Sequence, residues 1–427
     1  INRTWKIFIM FFITYVYFMY WVGFNENSRF NLTKSIVDEN KLEIDDYVHN
    51  TGDRAFINGH FYTDKAPGSS LFAIPSYFLW KFIYNFFPDN FKQKYAPTND
   101  FLIDKVSNTY ILIEKNPGFF ILIAMIVVTA FTSSLFGALL VVLIYKFSYQ
   151  FIRLENYRIL IALIAGFGTG IFTYSLTFLG ITISTFMVFF SFYLIYKFVY
   201  DFNYSKNYYP SIAGILLSLA VSTEYLAGIF IPFFIIWLFF KKRWGLKTFM
   251  AGLVIGILPL LAYNYSILKN PLESTRKYLD PSIYPNYLLG NLGFIYPPRI
   301  FVMLKLLFDP YRGLFYYSSV LLLSLIGILF FIRKFKIESA IIIASLLLLT
   351  LILSMRYDWW GGAVFGSRFL LLITPFLLIP LITLLRFAEK NKFLLLIILF
   401  FSIDSTFINF LGLQNVETII LADDRID

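Results

Sequence analysis

The chain has 427 residues, of which 58% are hydrophobic, 21% aromatic and only 15% charged, where a soluble domain carries roughly 25% charge; lipid is the solvent left to it. With no cysteine and two histidines, disulfides, thiolate metal sites, cysteine nucleophiles and multi-histidine metal centres are excluded. The net charge of +10 is read as basic loops kept on the cytoplasmic side of a membrane, not as nucleic-acid binding.

A spanning helix needs about 20 mostly apolar residues. The first is expected at 4–24, just after Arg3 and around Lys6. Its apolar region is long and no small-residue cleavage site follows, so it reads as an anchor and not a signal peptide. A polar stretch covers 25–67, an apolar run 68–87, and a second polar stretch ends at Pro117. Pro67, Pro75 and Trp80 suit the run at 68–87 to the interface. Further spans are expected at 118–146, 158–178, 181–200, 209–224, 226–240 and 249–267. A polar-aromatic loop at 268–312 separates these from spans at 313–333, 339–355, 369–386 and 393–411. The short pair 209–224 and 226–240 also reads as one bent element. The expected fold is therefore all-α, a single polytopic membrane domain over 1–427 with about eleven spans. Interfacial helices are expected in the first extracytoplasmic loop, 25–117.

Orientation follows from charge. With the N-terminus inside and 68–87 not crossing, the inner face carries Arg3, Lys6, Lys146, Arg153, Arg158, Lys197, Lys206, Lys241, Lys242, Arg243, Lys247, Arg333, Lys334, Lys336, Arg386, Lys390 and Lys392. Only Glu155, Asp201, Glu338 and Glu389 oppose them there, as the positive-inside rule requires. The segments rich in acids, Arg, Trp and Gly (25–67, 268–312 and 356–368) then fall together on the outer face.

Those segments hold the candidate chemistry. Glu26 stands at the membrane edge, where partial desolvation raises a carboxyl pKa and Arg29 holds it ionised; either state suits proton transfer with a hydroxyl. Asp45 and Asp53 are further acids in the same loop, and Arg29, His60, Tyr62 and Asp64 are polar groups beside them. Lys65, before Ala66-Pro67-Gly68, suits a lipid phosphate at headgroup depth, against ordinary snorkelling. Glu224 lies between two apolar runs, where an ionisable residue is either functional or paired to close the fold. Arg312 and Arg368 each stand at the mouth of a span, and arginine grips phosphate oxygens in pairs. Trp359-Trp360-Gly361-Gly362 offers rings to stack on a sugar or to sit in the interfacial aromatic belt. No P-loop, Rossmann glycine pattern, nucleophile elbow or zinc-protease motif occurs.

These residues resemble a family. Asn25-Glu26 after the first span, Gly59-His60-Phe61-Tyr62-Thr63-Asp64-Lys65-Ala66-Pro67-Gly68, Arg312-Gly313-Leu314-Phe315 and Trp359-Trp360-Gly361-Gly362 are similar to the membrane-embedded glycosyltransferases of the C superfamily. Within it they resemble the branch of the protein O-mannosyltransferases and lipid A aminoarabinose transferases, and more nearly a group of prokaryotic members of that branch, over residues 20–380 or so. The resemblance implies a glycosyltransferase C-type fold, a polyprenyl-phosphate-linked sugar as donor and inversion at the anomeric carbon. It also implies reaction at the extracytoplasmic face of the cell membrane. It gives Glu26 the activation of the acceptor hydroxyl and Lys65 the donor phosphate, and it carries roles for these two residues only; Arg312 and Arg368 are added at the phosphate on arginine chemistry alone. Two positions depart from the family pattern. Asn25 replaces the first member of an acidic pair, so Glu26 acts alone or with Asp53 or Asp45. The turn Phe178-Leu179-Gly180-Ile181-Thr182 lacks the expected acid or histidine.

The expected partners are the polyprenyl-phosphate-linked sugar, membrane lipid and an acceptor that is protein, lipid or glycan, with no nucleic acid. No cofactor is required, and a divalent cation held by carboxylates stays open. A transporter or flippase of a lipid-linked glycan is the alternative, although no internal repeat supports it; a passive assembly subunit is a third.

Overall fold

The computed structural model describes residues 2–21, 23–96, 101–106, 109–114, 118–204, 206, 208–283, 294, 297–362 and 364–414; parts of the stretches expected at 88–117 and 268–312 lie outside them. The fold is mostly helical. Helices α1 (Arg3–Tyr17) and α2 (Phe24–Glu39) lead into hairpin β1 (Arg54–Ile57) and β2 (His60–Thr63). Then come α3 (Gly68–Asn85), α4 (Asp89–Lys94) and a second hairpin, β3 (Phe101–Val106) and β4 (Thr109–Glu114). The bundle follows as α5 (Gly118–Thr129), α6 (Leu135–Ser148), α7 (Glu155–Phe167), α8 (Gly170–Tyr174), α9 (Gly180–Tyr200), α10 (Tyr208–Thr223), α11 (Phe230–Lys241) and α12 (Leu246–Leu268). It closes with α13 (Ile300–Phe308), α14 (Leu314–Tyr317), α15 (Leu322–Phe331), α16 (Lys336–Ser354), α17 (Thr374–Ala388) and α18 (Lys392–Gln414).

Among the described residues, six helices are long and apolar enough to cross a membrane: Gly118–Ser148, Gly180–Tyr200, Arg243–Leu268, Lys336–Ser354, Arg368–Ala388 and Lys392–Leu413. Tyr208–Thr223, Tyr225–Lys241 and Ser319–Phe331 are apolar but shorter. The chain is thus a membrane protein. The expected spans at 4–24 and 158–178 are built differently. The first helix stops at Tyr17, because Tyr20 N–H bonds Leu176 O (3.1 Å) and Gly23 takes φ +110° before α2 starts. The stretch at 158–178 is broken into α7 and α8, where Thr169 caps α8 by accepting from Ile171 N. The stretch at 209–240 is, as expected, two helices, with a 3-10 turn, Tyr225–Ile229, between them.

The bundle is held by close helix contacts. Gly252 and Gly256 of α12 face α10, where a Cβ would lie 2.0 Å from Ser211 O and 2.6 Å from Ile215 O. Small residues four apart let helix backbones touch when lipid supplies no hydrophobic drive between them. At the centre, Phe192 stacks on Trp237 (5.0 Å between ring centroids) and Phe376 meets both Phe189 (5.6 Å) and Phe230 (5.1 Å). Between α5 and α6, Ala130–Ser134 wind as a π-turn. There Ser133 and Ser134 donate to Leu179 O (3.2 Å) and Ser175 O (2.8 Å).

The two ends of the bundle differ. One is tied by short links: Arg3 to Glu155 (3.4 Å), Glu389 to the Arg153 and Leu154 amides (3.0 and 3.1 Å), and buried Glu338 to Trp237 Nε1 (2.8 Å) and the Tyr200 hydroxyl. At the other end the loop helices and β1–β2 gather. Hairpin β1–β2 turns at Asn58-Gly59, both at positive φ (52° and 90°), the turn that matches strand twist. Its last residue, Thr63, leads directly into Asp64-Lys65. Helix α3 lays its small face, Ser69, Ser70, Ala73 and Ser76, against the protein and leaves Phe78, Leu79, Phe82, Ile83 and Phe86 exposed.

Candidate functional site

Glu26 is in the first turn of α2 and 4% exposed. Its Oε1 accepts a hydrogen bond from Thr177 Oγ1 at 2.6 Å. Burial pushes its carboxyl above the usual glutamate range. The Thr177 bond, its own backbone N–H and the charge of Arg368 work against that rise, and Asp53 adds to it. The helix N-terminus also favours the anion.

One turn on, the buried Arg29 donates from Nε to Asn25 Oδ1 (2.9 Å) and from Nη1 to Ser69 Oγ (2.6 Å) and Ala66 O (3.3 Å). Burial lowers its pKa; Glu224, Asp64 and Asp53 favour its charge and Arg368 opposes it. Two glycines make this possible. A Cβ on Gly180 would stand 2.5 Å from Thr223 O and 2.9 Å from Arg29 Nη1, and one on Gly68 would stand 2.5 Å from Ser222 O. The ends of α2, α3, α9 and α10 therefore meet around one guanidinium.

A chain of alternating charges runs beside this pair. Lys65 Nζ lies 2.8 Å from Asp53 and 2.9 Å from Asp64. Arg276 Nη1 stands 3.8 Å from Asp64, and its Nη2 2.7 Å from Asp358. Asp358 in turn takes Arg356 at 2.7 Å. Burial pushes the Asp358 carboxyl up, but Arg356, Arg276 and Lys65 outweigh it and hold the group well below the usual aspartate range. The buried Asp64 Oδ1 has no hydrogen-bond partner among the described residues. Residues far apart in sequence, 53–65, 276 and 356–358, are thus clamped together.

The other residues singled out from sequence divide clearly. Arg368 stacks on Phe369 (4.5 Å to the ring centroid), its field reaches Glu26 and Arg29, and its buried Nε has no hydrogen-bond partner among the described residues. Arg312 is 2% exposed and its two Nη groups are engaged, donating to Val364 O, to Gly362 O at 2.9 Å and to Tyr311 OH at 3.4 Å, while its buried Nε, like that of Arg368, has no hydrogen-bond partner among the described residues. Its guanidinium therefore shapes the Gly361-Gly362 turn instead of facing a ligand with all its donors. Asp45 and His60 pair on the surface (2.7 Å), with Asp45 also accepting from Phe61 N (2.6 Å). Hydrogen bonding to Asp45 raises the His60 pKa. That pair fastens the hairpin and does not join the Glu26 cluster. Tyr62 packs in a small core with Leu32, Ile44 and Tyr263. Glu224 begins the Tyr225–Ile229 turn and acts on Arg29 through its charge. Trp359 is buried edge-on against Tyr311 (6.2 Å) and Trp360 (6.0 Å), while Trp360 is half-buried.

Arg276, Arg356, Asp358 and Thr177 were not expected as site residues. Arg356 and Asp358 flank the expected end of a span, a signal available in the sequence; Arg276 and Thr177 carried none. Among the described residues no group of three or more His, Asp or Glu could hold a metal ion. The arrangement offers a buried carboxylate, an arginine beside it whose buried Nε has no hydrogen-bond partner among the described residues, and a lysine held between acids. No protein-family model matches the chain, and no curated protein matches it.

Proposed function

We propose that the chain is an inverting glycosyltransferase of the C superfamily, using a polyprenyl-phosphate-linked sugar at the extracytoplasmic face of the cell membrane. The observation that carries the reading is the buried Glu26 carboxyl within the field of Arg368, a guanidinium whose Nε has no hydrogen-bond partner among the described residues. In the reaction an acceptor hydroxyl oxygen attacks the anomeric carbon from the face opposite the phosphate. The bond from that carbon to the phosphate oxygen breaks, the hydroxyl proton passes to Glu26, and the departing polyprenyl phosphate is stabilised by Arg368 and Lys65. Lys65 must first yield part of its hold on Asp53 or Asp64. The fold in this reading has about eleven spans, with an inside N-terminus and α2 and α3 as juxtamembrane helices. The exposed phenylalanines of α3 suit such contact with lipid.

The test is transfer of labelled sugar from a polyprenyl-phosphate hexose in proteoliposomes containing candidate acceptors. A large loss of turnover in Glu26→Gln together with a raised donor KM in Arg368→Ala supports the assignment. Full activity in both variants overturns it, and a donor that crosses the bilayer chemically unchanged favours the transporter instead.

A further inference from the structure

Three consecutive residues in the turn between α8 and α9 grip the segment around Glu26. Leu176 O accepts from Tyr20 N (3.1 Å), Thr177 donates to Glu26 (2.6 Å), and Phe178 stacks on Trp21 (5.9 Å between centroids, 28° between planes). Trp21 in turn donates from Nε1 to Asn27 Oδ1 at 2.7 Å. Behind the turn, Ser133 and Ser134 of the π-turn hold Leu179 O and Ser175 O. Thr177 itself is 2% exposed, so bulk solvent does not compete for this bond. This is the turn in which an acid or histidine was expected, and what it presents to the carboxylate is a hydroxyl.

We propose that Thr177 is the positioning residue of this site: its hydroxyl fixes Oε1 of Glu26, so that Oε2 meets the incoming hydroxyl. The inference rests on the reading of Glu26 as the proton acceptor. A threonine hydroxyl donates to an ionised carboxylate and so favours the anion. The other groups acting on Glu26 are its own backbone N–H and Arg368, which favour the anion, and Asp53, which opposes it; among side chains, the Tyr20 hydroxyl also feels its charge. Of these side chains, Thr177 is the one that both orients the carboxylate and holds it charged by direct contact.

The test follows the carboxyl itself. Infrared titration of the protein in lipid nanodiscs would resolve the protonated carboxyl band that disappears in Glu26→Gln. The midpoint of that band is expected to move to higher pH in Thr177→Val and Thr177→Ala, and to stay near the original in Thr177→Ser. Turnover near neutral pH should fall roughly tenfold in the first two with donor KM unchanged, the scale of one hydrogen bond to a charged group, and recover in Thr177→Ser. Using both Val and Ala keeps the test alive if either variant folds poorly. Equal midpoints in the original chain and both variants would overturn the role of Thr177, whatever the activity. A shifted midpoint in a chain that transfers no sugar would instead sink the transferase reading alone.

Discussion

The ammonium of Lys65 lies between two carboxylates, 2.8 Å from Asp53 and 2.9 Å from Asp64, with 9% of its side chain exposed. Removing one member of a buried ion cluster leaves the others uncompensated, at a cost of about 3–5 kcal/mol. Lys65→Met is therefore expected to destabilise the protein by an amount near the lower figure, since 15% of Asp53 is still exposed. Asp64→Asn in the Lys65→Met background should restore part of that loss, because one of the two abandoned charges is gone. Thermal unfolding of the single and double variants in detergent measures the coupling.

As the proposed base, Glu26 would act only when ionised, and burial holds its carboxyl above the usual glutamate range. The acidic limb of the rate profile should thus lie above that range, with activity lost as pH falls through it. Arg368 lowers this pKa, so Arg368→Gln should move the limb to still higher pH. Glu26→Gln should cost about 10²–10⁴-fold in turnover. The stability effect has the opposite sign. A carboxyl whose folded pKa is raised contributes stability below its unfolded pKa and loses it as pH rises through the folded one. Glu26→Gln is accordingly expected to unfold at a higher temperature near neutral pH, which calorimetry of both proteins at pH 5 and 8 can check.

Arg312 and Arg368 should respond differently to the same substitution. The Arg312 guanidinium already serves Val364 O and Gly362 O, so Arg312→Ala should lower stability by about 1–3 kcal/mol as those carbonyls lose their donors. Arg368→Ala should chiefly raise the donor KM, by roughly tenfold or more, since the bond it would make is to a phosphate. Melting temperature and donor titration, measured side by side, separate the two effects.

Gly180 and Gly68 stand where helix ends touch, and Gly228 does not. Alanine at Gly180 or Gly68 would push its Cβ to 2.5 Å from a backbone oxygen, while at Gly228 the nearest atom is Val221 Cγ2 at 3.9 Å. The first two substitutions should cost about 1–3 kcal/mol and disturb Arg29, and Gly228→Ala should be neutral. Denaturation midpoints for the three variants test this order.

How much of this was legible in the sequence depends on the range of the interactions. Long apolar runs announce their helices, so Gly180–Tyr200, Lys336–Ser354 and Lys392–Leu413 fall close to the expected 181–200, 339–355 and 393–411. Helix α2 gave no such signal. It has no apolar stripe, and its buried Glu26, Ser28, Arg29, Asn31 and Thr33 are satisfied by partners in other segments. The end of α1 was invisible for the same reason, since the apolar run continues but Tyr20 is drawn away by Leu176. Hairpin β1–β2 carries a local signal within a stretch otherwise read as polar loop: Asn58-Gly59 between two short runs rich in aromatic and aliphatic residues favours the turn. At the site, Glu26, Arg29, Asp64, Lys65 and Arg368 could be singled out as charges beside spans. What sequence could not give is pairing. Arg276 and Asp358 are separated by 82 positions, and nothing local announces that the Arg312 guanidinium is taken up by the carbonyls of Gly362 and Val364.

The π-turn at Ala130–Ser134 sets the phase between two halves of one long helix. An α-helix advances about 100° per residue and a π-turn takes in one residue more, so forcing this turn into regular α-winding with that residue kept would rotate one half against the other by about that angle. Ser133 and Ser134 would swing off the turn that carries Thr177. Phe131, half exposed at 51%, would trade direction with buried neighbours such as Ala130 and Thr132. The extra residue lets Gly118–Thr129 be indexed to the loop helices while Leu135–Ser148 is indexed to the bundle, and neither register has to compromise for the other.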